Sequence, residues 1–174
     1  MDTQVIELLG RSRLVSELLR AGLEIAVPAR DRGVDLIAYV DLESDVESLI
    51  ARPIQMKAAS SAQFSISKKY ARVRDLVLAF VWYLEDPTRA ATYALTYPEA
   101  IAIGDKMGWT KTASWLEQGG YGTTRLSRGL QNLLAPYKMN PSSWRTKVMG
   151  EPSRARCAES KGVRRHSARK QRGA

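Results

Sequence analysis

The sequence predicts an α/β fold in three layers, with a mixed central sheet and C-terminal helices packed on it. The chain opens on an amphipathic helical pattern, strand-like runs follow it, and from Tyr97 onwards the pattern is helical again. With 174 residues, of which 44% are hydrophobic, the chain suits one domain with a sizeable core.

The first helix is read over residues 4–21, with Thr3 as its N-cap. Val5, Leu8, Val15, Leu18 and Leu19 fall on one face, and Arg13, Glu17 and Arg20 on the opposite one. Gly22 ends the helix, because a residue without Cβ accepts the left-handed conformation found there. Leu23–Val27 reads as the first strand, closed by Pro28, and ARDRG as a turn. Val34–Leu42 and Pro53–Ala59 are the next two strands, separated by an acidic loop containing ESDVES. Gln63–Ser67 forms a short fourth strand. The nearly continuous apolar run Leu76–Leu84 implies burial on both faces, hence a central strand. After the turn EDPTR comes Thr92–Thr96.

Helices are expected over Tyr97–Met107, Thr110–Gln118 and Ser127–Leu134, and the apolar pattern stops beyond Trp144. Trp82, Trp109 and Trp115 are read as packing residues. The segment from Gly119-Gly120 to TTRLSRGL carries a faint helix-turn-helix pattern, but packing over one sheet face is the stronger reading. The domain is thus drawn over residues 1–149, with a core at about 4–97, a helical part at 97–149 and a basic tail at 150–174.

Composition narrows the chemistry. One cysteine, Cys157, rules out an internal disulfide and a cysteine-built zinc site. The only histidine, His166, lies in the polar tail, which disfavours histidine-based catalysis and histidine-ligated metals. Carboxylate and amide oxygens remain, and they suit a hard cation such as magnesium. No stretch reaches the ~20 apolar residues needed to cross a bilayer, and the N-terminus lacks a signal-peptide pattern. A cytoplasmic protein that does not engage a membrane is the expectation.

The net charge of +9 points towards polyanions. Residues 151–174 hold eight Lys or Arg and two Glu, which leaves only +3 for residues 1–150. Such a tail adds sequence-independent phosphate affinity, and a solvated, disordered terminus explains it equally well.

The informative segment is GVDLIAYVD, followed after the acidic loop by PIQMKA. Asp35 opens one strand, while Gln55 and Lys57 sit two apart on the next, so their side chains leave the same face. If the two strands are neighbours, the three polar heads can converge at one end. Phosphodiester hydrolysis asks for such a set: a carboxylate and a second oxygen to hold a metal, and a lysine to orient water and offset growing charge.

A helix ending in glycine, a strand, G-x-D on the next strand and Q-x-K on the one after resemble the core of the PD-(D/E)XK nuclease superfamily. The likeness covers roughly residues 5–97. Within that superfamily the arrangement is similar to archaeal Holliday-junction resolvases and to Mrr-type restriction enzymes. The resemblance implies a restriction-endonuclease-like fold, magnesium-dependent cleavage of DNA, Asp35 and Gln55 as metal ligands, and Lys57 as the catalytic lysine. Many members are dimers, which leaves a homodimer open. The segments RDRGVDLIAY, PIQMKA, KKY and ALTYPEA are also similar to those of a group of uncharacterised bacterial proteins, a likeness that implies no activity.

One departure bears on the metal. Many superfamily members place a glutamate on the first helix, where this sequence offers Arg11. Glu7, one turn earlier at the edge of the apolar face, is the remaining candidate ligand, and Glu17 points away from that face. With Gln in place of Glu, Asp35 is left as the one formal negative charge at the site. An inactive nuclease-fold module that binds DNA or another protein is therefore the alternative. Lys68, Lys69 and Arg72, just after the short strand, are candidate phosphate contacts.

Overall fold

The computed structural model describes residues 2–30, 32–40 and 49–150. Helix α1 (Thr3–Arg20) is capped by Asp2, whose carboxylate accepts the N–H of Gln4, and it stops at Gly22, whose φ is 70°. Strands β1 (Leu23–Ala26), β2 (Leu36–Val40), β3 (Ala51–Ala58), β5 (Val77–Trp82) and β6 (Ala91–Thr96) form one sheet in the order β1-β2-β3-β5-β6. Only β3 and β5 run parallel, so the sheet is mixed, as the element order predicts.

β5 is buried along its whole length because it feeds two cores. Val77, Ala79 and Val81 turn towards α1 and the C-terminal helix α5 (Pro141–Met149). Leu78, Phe80 and Trp82 turn to the other face. There they meet α2 (Tyr97–Lys106), α3 (Ala113–Gln118), α4 (Arg128–Leu134) and strand β4 (Phe64–Ser67). Trp109 and Trp115 are buried in this second core, in keeping with their reading as packing residues.

Helix α1 departs from its predicted orientation. The buried stripe is Ile6, Gly10, Leu14 and Leu18, while Val5, Leu8 and Leu19 are exposed. A four-residue spacing with a glycine in it lets the helix lie directly on β3: a Cβ at Gly10 would stand 2.5 Å from Cβ of Ala58. Arg13 and Glu17 consequently face the protein. Glu17 pairs with Arg13 at 2.9 Å and accepts hydrogen bonds from Thr92 Oγ1 at 2.9 Å and Trp144 Nε1 at 3.1 Å.

The C-terminal part holds two elements that the apolar pattern does not announce. Strand β7 (Gly120–Thr123) lies between α3 and α4 and pairs antiparallel with β4, which leaves no helix-turn-helix there. Helix α5 continues past Trp144, a fully buried side chain, and starts with an Asn140–Ser143 capping box. The basic tail lies outside the described residues.

Candidate functional site

Asp35 sits one residue ahead of β2, and its N–H donates to the Ile54 carbonyl at 2.8 Å, which locks it to β3. The antiparallel register then sets Leu36 opposite Ile54. Leu36, Ile54 and Met56 belong to the α1 side of the sheet. By strand alternation Asp35, Gln55 and Lys57 belong to the other side. The convergence anticipated from the sequence is met: all three line one cleft of about 840 Å³.

Asp35 Oδ2 accepts two N–H groups, from Gln55 Nε2 at 2.5 Å and from the Met56 backbone at 2.6 Å. The Asp35 carbonyl accepts from Arg11 Nη1 at 3.4 Å, so the residue standing where a helix glutamate is expected presents a cation behind the site. Glu7 reaches the same cleft, but its side chain is 59% exposed and pairs with Arg11 at 3.5 Å.

Lys57 is half-buried, and its ammonium stands over the Tyr70 ring, 5.2 Å from the centroid. Among the described residues it has no hydrogen bond or ion pair. Lysine is seldom fully buried without a counter-charge, and half-buried Lys57 keeps its place in the wall of the cleft.

Lys68, Lys69 and Arg72 lie on a 3-10 turn over residues 68–72, and none of them lines the cleft. Lys68 packs over Trp115 and donates to the Leu116 carbonyl at 3.4 Å. Lys69 shares the Tyr70 ring with Lys57, its ammonium 4.9 Å from the centroid. Instead of these three, Ser65 of β4 and Thr123 of β7 face the site, with Gln63, Thr124 and Arg125 beside those strands. No periodicity or motif marks them, because they lie at the ends of two four-residue strands that pair only with each other.

Asp35 and Gln55 are the pair that could hold a metal. Octahedral magnesium sets its oxygens about 2.1 Å from the ion and hence about 3 Å from one another. Here Gln55 turns its Nε2 to Asp35 Oδ2 at 2.5 Å, so the amide must flip to bring Oε1 to an ion beside that oxygen. One carboxylate and one amide fit a cation that keeps most of its water and shares a substrate phosphate. They do not make a closed protein cage: no group of three or more His, Cys, Asp or Glu gathers among the described residues.

Fold and cleft together define an α/β protein with a polar, cation-lined site at the junction of its sheet and a two-stranded ribbon. No protein-family profile matches the chain, and neither curated proteins nor solved structures give a match. No helix among the described residues is long and apolar enough to cross a membrane.

Proposed function

We propose that the cleft takes the phosphodiester backbone of DNA and that the protein is a magnesium-dependent nuclease with a PD-(D/E)XK-like site. The half-buried ammonium of Lys57, without a hydrogen bond or ion pair among the described residues, lies in the same cleft as the Asp35–Gln55 pair and carries this reading. Asp35 and Gln55 would hold the ion, which supplies Lewis-acid polarisation of the phosphoryl oxygen when bound. Lys57 orients the attacking water and offsets the negative charge that builds on the phosphoryl oxygens as the new P–O bond forms and the P–O bond to the leaving sugar breaks.

Incubation of the pure protein with plasmid and with single-stranded, duplex and branched oligonucleotides tests this. Cleavage that requires magnesium is expected, with Asp35→Ala or Lys57→Ala lowering it at least 100-fold while far-UV circular dichroism is unchanged. Intact DNA in every arm would refute it.

One observation favours a second reading, binding without cutting. Asp35 Oδ2 already accepts two N–H donors, so that oxygen is hydrogen-bonded without a cation. On this reading DNA binding weakens with salt and persists in EDTA, and binding that required a divalent ion would contradict it.

A further inference from the structure

The ribbon of β4 and β7 gives the cleft a second wall, and that wall carries its own cation. We infer that Arg125 grips a backbone phosphate of a single DNA strand seated between it and Lys57. This rests on the phosphodiester reading of the cleft and adds to it the form of the substrate.

Arg125 lines the cleft together with Lys57, and its guanidinium makes no hydrogen bond or ion pair among the described residues. The main chain beneath it is fixed. The N–H of Arg125 donates to Thr123 Oγ1 at 3.1 Å, and its carbonyl accepts from the same hydroxyl at 3.0 Å. A held backbone with an unclaimed guanidinium suits phosphate, whose oxygens match the paired N–H groups of arginine. The cleft's other cationic neighbour is spoken for, since Arg11 pairs with Glu7. Around Arg125 the wall offers uncharged hydrogen-bonding groups, Gln63, Ser65, Thr123 and Thr124, with Phe80 also lining the site. That mixture fits sugar and base beside a bound phosphate.

Size decides between one strand and two. A volume of about 840 Å³ falls in the range of sites that enclose a drug-sized molecule. One or two nucleotides belong to that class. A run of base pairs with both backbones is larger than this space, so a duplex would lie across the mouth of the cleft and not within it.

The test uses the full-length protein, a labelled 12-nucleotide single strand and the matching blunt duplex. Fluorescence anisotropy is read with calcium replacing magnesium, over a series of salt concentrations. Arg125→Ala is compared with Lys57→Ala and with Arg128→Ala, the last removing an equal charge from an exposed site outside the cleft. The single strand is expected to bind at least tenfold more tightly than the duplex. Arg125→Ala should lose five- to tenfold and flatten the log–log salt slope by about 0.7, the value for one phosphate contact on a single strand. Arg128→Ala should stay within twofold of wild type. Duplex binding as tight as single-strand binding, or equal losses for Arg125→Ala and Arg128→Ala, would overturn the inference. If Lys57→Ala alone loses affinity, Arg125 has no such role while the cleft reading stands; if no cleft variant does, both fall.

Discussion

Replacing Glu17 by alanine strands two buried donors. The Thr92 hydroxyl and the Trp144 indole N–H, on residues 1% and 0% exposed, both donate to the Glu17 carboxylate. A buried donor left without a partner costs about 1–3 kcal/mol. Arg13 suffers less, because its Nη2 still donates to the Ala90 carbonyl at 2.9 Å. Together the losses come to about 3 kcal/mol, or roughly 6–12 °C in Tm for a chain of this size. Urea denaturation followed by tryptophan fluorescence reads the change as a lower midpoint at constant slope. The same substitution in a Trp144→Phe background should cost about 1 kcal/mol less, since the stranded indole N–H is gone. A loss below about 1 kcal/mol for Glu17→Ala alone would refute the claim that this carboxylate ties α1 to β6 and α5.

Gly10→Ala should destabilise by about 1–2 kcal/mol in chemical denaturation, because crowding against Ala58 outweighs the gain in helix propensity. Glu99 is pushed up by burial, but hydrogen bonds from Lys147 and Thr96 and the Lys147 charge outweigh this and hold its carboxyl below the ordinary value. Its stabilising contribution is therefore complete above about pH 4.3 and fades as pH falls through the lower folded-state value. Acid titration of Tm should show that part of the loss disappearing in Glu99→Gln. Lys147→Met removes the partner that sits 2.9 Å from Glu99 Oε2, and should move the same acid transition to higher pH.

Much of the fold was legible because its signals are physical and local. The run Leu76–Leu84 could only be a strand covered on both faces, and β5 is buried throughout. Strand parity alone placed Gln55 and Lys57 on one face, and the β2–β3 register brought Asp35 to them. The rotation of α1 was misread because its inward stripe spends one position on glycine and leaves Leu8 and Leu19 exposed, so hydrophobicity points to the wrong side. Glu17 followed that error, since a carboxylate bound by three donors looks in sequence like any solvated charge. Helix α5 escaped notice because Trp144 and Val148 are its only buried residues. Strand β7 escaped because GYGT is half glycine, and with β7 went Arg125 and the second wall of the cleft.

The central claim is that Asp35, Gln55 and Lys57 form one site for a divalent ion and a phosphodiester. A crystal of the protein soaked in manganese, with anomalous scattering recorded at the manganese edge, tests it most directly. A peak is expected within about 2.2 Å of an Asp35 carboxylate oxygen, with the Gln55 amide turned to present Oε1 to the ion. A cleft without a peak while manganese binds elsewhere, or a peak that persists in Asp35→Ala, would contradict it.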